Sequence, residues 1–249
     1  MIQNHYNSIK YKINPKVTFP NLLTLYFISG FKIRVHGSKN NNTYISKSKQ
    51  KRKITIRYKK GSVDNTVFID DNFEGKINLT IQGSNNKIFI GQNVKLSDSK
   101  IAIYQNNSLI SIGNDVSIGK NNQIELSEFN YSPSLTIGDD CMISHNVIIR
   151  LSDAHPVYNL SNERTNIGRD LSIGKHVWIG HDTIILKSVS IGDGCIIGTN
   201  STITKNIPNY SIAAGIPGQV IRTGDFYWSR TEDEVHIKTA KSFYPMTKN

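Results

Sequence analysis

His155 stands in DAHPVYNLSNER (Asp153 to Arg164), a polar stretch with the composition of a loop. Histidine has the ordinary pKa nearest neutrality, so it can accept and return a proton at physiological pH. Pro156 stiffens the turn, and Asp153 is close enough in sequence to influence the orientation of the ring. The stretch can supply a general base. A second constellation has metal-ligand spacing: His176 and His181 are five apart, with His145 upstream. The two cysteines, Cys141 and Cys195, each take the fifth place of a six-residue unit, IGDDCM and IGDGCI. That place suits a small inward side chain, so both read as buried reduced thiols rather than as nucleophiles or a disulfide.

The elements that must position these residues repeat in sixes. From Ile167 the chain runs IGRDLS-IGKHVW-IGHDTI-ILKSVS-IGDGCI-IGTNST-ITKNIP, with isoleucine at 167, 173, 179, 185, 191, 197 and 203. Neither a helix nor an alternating strand keeps an aliphatic residue at every sixth position. A chain turning a corner every six residues does. Three sixes close a triangular coil of 18, each isoleucine is expected on the axis, and stacked coils share the apolar core that one coil cannot bury. The sequence predicts an all-β parallel β-helix. Upstream, HGSKNNNTYI, KGSVDNTVFI, QGSNNKIFI and NNSLISI return at longer intervals, which predicts larger coils with one corner bulging outward. The phase is fixed from Ile137. Between Ile149 and Ile167 lies the length of one full coil, but its expected aliphatic places hold His155 and Ser161. An apolar solenoid that stops being apolar for one turn is where chemistry is expected. The expected organisation is an N-terminal cap (1–31), a β-helix (32–222) with its active-site loop at 153–166, and a C-terminal helix or tail (223–249). In that tail Tyr227 and Trp228 read as docking residues.

A chain of 249 residues with 37% hydrophobic content suits a folded protein with a large core. Its charge is uneven. Residues 1–60 carry 14 Lys and Arg and no Asp or Glu, whereas the remainder carries 16 against 19. The net +11 therefore belongs to the N-terminal quarter, densest at KSKQKRK (Lys47 to Lys53). A polyanion partner or a solvated basic edge both fit; no nucleic-acid-binding motif accompanies the charge, so nucleic acid is not expected. The apolar run Leu22 to Phe31 is too short to span a bilayer, and no convincing cleavage site follows it. It reads as a short helix covering the open first coil, with peripheral membrane attachment as the other reading. A cytoplasmic setting, at the inner face of the membrane in the second case, is expected.

The unbroken hexads, the ending AAGIPGQVIR (Ala213 to Arg222), DAHPVY and HVWIG resemble the hexapeptide-repeat acyltransferases, and are most similar to bacterial capsule and sialic-acid O-acetyltransferases. The likeness implies a left-handed β-helix and transfer of an acetyl group from acetyl-CoA to a sugar hydroxyl. The acceptor it implies is a capsular polysaccharide such as a sialic-acid polymer. It also implies a homotrimer with sites between subunits and no metal. His155 would be the catalytic histidine, and Trp178 would lie beside the thioester. Gly180, His181, Gly198, Thr199, Thr204, Lys205 and Arg222 fall where relatives contact the CoA arm and phosphates, and Asn121 matches an acceptor-binding asparagine. Gln219 replaces the usual basic residue of the ending. Two other classes fit parts of the chain: a γ-type carbonic anhydrase, which would use the three histidines for zinc, and a non-catalytic polysaccharide-binding solenoid.

Overall fold

A computed structural model describes residues 31–37, 40–46, 52–128 and 130–244. The N-terminal cap expected over residues 1–31, apart from Phe31, and Lys47, Lys49 and Lys51 of the basic run lie outside the described residues. Of the basic quarter, Arg34, Lys53, Arg57, Lys59 and Lys60 are exposed.

The chain winds into a stack of parallel strands. One face is a seven-stranded sheet built from Thr43–Ser46, Thr66–Ile69, Lys87–Ile90, Leu109–Ile112, Ser134–Ile137, Leu171–Ile173 and Ser190–Ile191. The other two faces belong to one 14-stranded sheet, because the early strands Glu74–Gln82 and Lys95–Tyr104 run without a break across both. Later coils split them into shorter pairs, such as Ser117–Ile118 with Gln123–Leu126 and Trp178–Ile179 with Ile184–Ile185. Equivalent residues pair in register from coil to coil. On the first face Ile69, Ile90, Ile112, Ile137, Ile173 and Ile191 form one line, all nearly inaccessible to solvent. Each burial contributes roughly 1.5–3 kcal/mol, and the backbone ladder between coils satisfies the polar groups that accompany it.

The extra residues of the early coils gather at the corner between the third face and the first. Buried asparagines stack there: Asn65 N–H donates to Asn42 Oδ1 (3.0 Å), Asn86 N–H to Asn65 Oδ1 (2.9 Å) and Ser108 N–H to Asn86 Oδ1 (2.9 Å). The Asn-rich upstream repeat thus has a physical cause: each side-chain amide reaches the next coil and pairs a backbone N–H there. Cys141 and Cys195 are buried and unpaired with each other, and burial raises both thiols, Cys141 to about 12, which keeps them in the neutral form.

One expectation is corrected. In the stack Ile137 pairs with Ile173, Ile143 with Ile179 and Ile149 with Ile185, each partner 36 residues on. That is two coils of sequence for one step of stack. The segment between Leu151 and Gly168 therefore leaves the solenoid as a loop, and Ile167 is 40% exposed instead of lying on the axis. The phase survives because the loop happens to have a coil's length. Its neck is tight: a Cβ on Gly168 would stand 2.1 Å from the Leu151 carbonyl oxygen.

After the hairpin Ser211–Gly215 and Gly218–Thr223, the chain folds back along the stack and forms the helix Glu234–Ser242, capped by the Asp233 side chain. Trp228 is 5% exposed and stacks on His176 with ring centres 4.1 Å apart. Its indole N–H donates to the His176 carbonyl (2.9 Å), while the His176 ring meets Asp140 Oδ2 through Nδ1 (2.7 Å) and the Trp228 carbonyl through Nε2 (3.0 Å). Arg230 closes the clasp on Asp140 Oδ1 (2.9 Å) and Ser117 Oγ (2.8 Å). Burial works to raise the Asp140 pKa, but the hydrogen bonds from His176 and Arg230 outweigh it and hold the carboxyl low. A lowered folded value means that its contribution is present above the ordinary range, about 3.9, and is lost as pH falls through the folded value. Trp228→Ala should cost about 3 kcal/mol in denaturant unfolding. It should also red-shift the emission of Trp178, the one tryptophan then left of two. Unchanged stability and emission would contradict the clasp.

Candidate active site

The loop that leaves the stack is ordered by its own bonds. Ser152 Oγ accepts from the Ala154 amide (2.8 Å), turning the chain into a left-handed residue at Ala154 (φ 64°) immediately before His155. Beyond Pro156 the two limbs pair. Tyr158 bridges to Arg164, Thr165 N–H donates to the Val157 carbonyl (2.8 Å), and Asn159 N–H donates to the Glu163 carbonyl (3.0 Å). His155 stands on the outgoing limb with an exposed side chain.

Two ion pairs fasten this hairpin to the solenoid. Glu128 is fully buried; its Oε1 lies 2.6 Å from Arg164 Nη2 and its Oε2 accepts from the Gly168 amide (2.9 Å). A buried carboxylate is tolerated only when its lone pairs are used, and here both oxygens serve the returning limb. On the outgoing limb Lys187 pairs with Asp153 and donates to the Asn166 carbonyl (2.7 Å). Burial tends to raise the Asp153 pKa, but Lys187 and Asn166 hold it below the usual carboxylate range. The Asp153 carboxylate thus meets the Lys187 ammonium and the Asn166 side-chain amide rather than the His155 ring.

The predicted site residues fall into separate groups. Thr204 and Lys205 are exposed at the corner from which the His155 loop projects, beside Lys187, which was not among them. Gly180, His181, Gly198 and Thr199 come together at the corner between the second and third faces. There a Cβ on Gly180 would lie 2.6 Å from the Thr199 amide nitrogen, so the backbones approach as closely as glycine permits. Asn121 belongs to the same corner ladder, left-handed at φ 61°, below His145. Trp178 projects outward from the second face, 38% exposed, its ring 6.1 Å from that of Trp228. Arg222 lies on the terminal hairpin, where its guanidinium donates to the Asp225 carbonyl (2.7 Å) and covers the Phe226 ring. Within one chain, then, the His155 loop and Trp178 stand on different sides of the triangular stack.

The three histidines with zinc-like spacing do not converge. His145 and His181 share a corner with ring centres 6.1 Å apart, but His176 is buried at another corner with both nitrogens engaged by Asp140 and Trp228. Sequence reasoning passed over Glu128, Arg164, Asn166 and Lys187. One signal was available: Leu186-Lys187 interrupts the glycine that follows most hexad isoleucines, at the corner where the loop is anchored.

The family described as bacterial transferase hexapeptide (six repeats) matches residues 170–205. The chain is 34% identical over 156 residues to the polysialic acid O-acetyltransferase of Neisseria meningitidis, covering 53% of this chain and 71% of that protein. Its fold matches the crystal structure of the polySia-specific acetyltransferase NeuO with a TM-score of 0.75 and 28% identity, over 85% of this chain and 91% of the other. It matches the polysialic acid O-acetyltransferase OatWY with a TM-score of 0.63 and 26% identity, over 81% and 100%.

Proposed function

The chain belongs to the hexapeptide-repeat acyltransferases, and on that premise we propose that it transfers an acetyl group from acetyl-CoA to a hydroxyl of a sialic-acid-containing polysaccharide. The observation that carries this reading is the ordered polar loop, lifted out of an apolar stack and fastened by two ion pairs, that presents His155 to solvent. The likeness to polysialic acid O-acetyltransferases supports the acceptor. The exposed Arg34, Lys53, Arg57, Lys59 and Lys60 on the first coils suit an anionic polymer.

Acetyl-CoA supplies an acetyl group activated as a thioester. His155 takes the proton from the acceptor hydroxyl as the oxygen attacks the thioester carbonyl, and the resulting imidazolium returns it to the departing thiolate. Trp178 supplies apolar contact beside the thioester. The paired backbones at Gly180 and Gly198 leave room for the pantetheine arm, with His181 and Thr199 along it. Lys205, Thr204 and Arg222 meet the phosphates, and Asn121 meets the acceptor. No residue role in this scheme calls for a metal.

Because the loop and Trp178 lie on different sides of one stack, a complete site draws them from adjacent copies in a homotrimer. Apolar side chains left exposed on the loop (Val157, Tyr158, Leu160) and on the terminal hairpin (Ile216, Ile221) are consistent with burial between copies. A cytosolic setting, in which two unpaired cysteines stay reduced, belongs to the same reading.

His155→Ala should lower kcat by roughly 10²–10⁴-fold in a thiol-release assay while the KM for acetyl-CoA holds. Trp178→Ala should raise that KM as well as lowering turnover. A folded His155→Ala protein with more than about a tenth of wild-type kcat would sink the base assignment. Light scattering should give three times the 28.0 kDa chain mass, and an active species of single-chain mass would rule out the shared site.

A further inference from the structure

A base on a loop works only if the loop holds its backbone, and the segment around His155 has little means of doing so alone. Pro156 offers no amide hydrogen, and Ala154 is in a left-handed conformation. The holding comes from Asn166, on the opposite limb. Its side-chain amide has two hydrogens and two acceptor positions, and the surrounding groups use all four. Nδ2 donates to Asp153 Oδ2 (2.9 Å) and to the His155 carbonyl (2.8 Å), while Oδ1 accepts from the Val157 amide (2.8 Å) and from Arg164 Nε (3.3 Å). Three of these partners are residues 153, 155 and 157, so a single planar group grips the chain before, at and after His155. The Asn166 backbone carbonyl meanwhile accepts from Lys187 Nζ (2.7 Å), which ties the grip to the rigid corner of the solenoid.

We infer that Asn166 is the positioning residue of the site, setting the backbone from which the His155 imidazole is aimed. The inference rests on the reading of His155 as the base. No other side chain of similar size replaces it. Aspartate is isosteric but has no hydrogens, so it would turn an oxygen toward the two acceptors that Nδ2 now serves. Glutamine adds a methylene, which moves the amide off all four partners at once. Alanine leaves the Val157 amide and the His155 carbonyl to water.

The test is a kinetic cycle on the full-length protein with acetyl-CoA and polysialic acid. Asn166→Ala should lower kcat roughly 10²-fold, the scale of a small misplacement of a reacting group. The KM for acetyl-CoA should stay within about twofold, because the Asn166 side chain touches none of Trp178, Gly180, His181, Gly198 or Thr199. Asn166→Asp should lose at least as much as Asn166→Ala, and it carries the same test should the alanine variant not fold. In a His155→Ala background, Asn166→Ala should cost nothing further, since a residue acting through another has no effect once that other is gone. An Asn166→Ala enzyme within threefold of wild-type kcat would overturn the inference. So would an equal loss with and without His155. If His155→Ala alone keeps wild-type turnover, the base assignment fails and the inference falls with it, whereas a His155→Ala loss without an Asn166→Ala loss overturns the inference alone.

Discussion

The structure depends on one constraint: equivalent aliphatic side chains must lie directly over one another along the axis of a parallel stack. Ile90, Ile112, Ile137, Ile173 and Ile191 obey it on one face, and Ile143, Ile179 and Ile197 on another. In a parallel ladder a slip of one residue would turn every inward side chain outward. The register is therefore rigid, and the chain can depart from it only where both ends of the departure return to their places. The loop between Leu151 and Gly168 meets that condition through its closed neck, and so it can be polar without disturbing the core.

Rigidity is what the stack offers to chemistry. The corner that carries Lys187 cannot move without moving the coils on either side, since Ile185 pairs both with Ile149 and with Ile203. Fastening the hairpin there, and to the buried carboxylate of Glu128, gives His155 a fixed origin although its ring is exposed. Elsewhere the same stack is closed by a different device: the C-terminal strap lays Trp228 over His176 and Arg230 over Asp140. Trp228 also backs Trp178, so the strap borders the outward surface that Trp178 presents.

Much of this was legible in the sequence because a six-residue period has few explanations. The β-helix, the buried cysteines, the docking role of Trp228 and the departure from apolar character around His155 all follow from pattern alone. The placing of Ile167 does not. A loop of a coil's length preserves the phase, so an exposed isoleucine and an axial one occupy equivalent places in the count. The zinc-like spacing of the histidines, which offered an alternative reading, fails for a related reason: spacing along the chain says nothing of which corner a residue occupies, and His176 turns a different corner from His145 and His181. Asn166 and Glu128 were invisible because their partners are far along the chain or across a hairpin, and no local signal marks such a bond.

The reaction proposed for this solenoid is transfer of an acetyl group from acetyl-CoA to a sialic-acid polymer. Mass spectrometry of polysialic acid after incubation with acetyl-CoA labelled in the acetyl group tests it most directly. The proposed reaction predicts labelled acetyl esters on the sugar residues with wild-type protein, and their near-complete loss with His155→Ala. Release of free CoA with no label on the polymer, or equal labelling by both proteins, would contradict it.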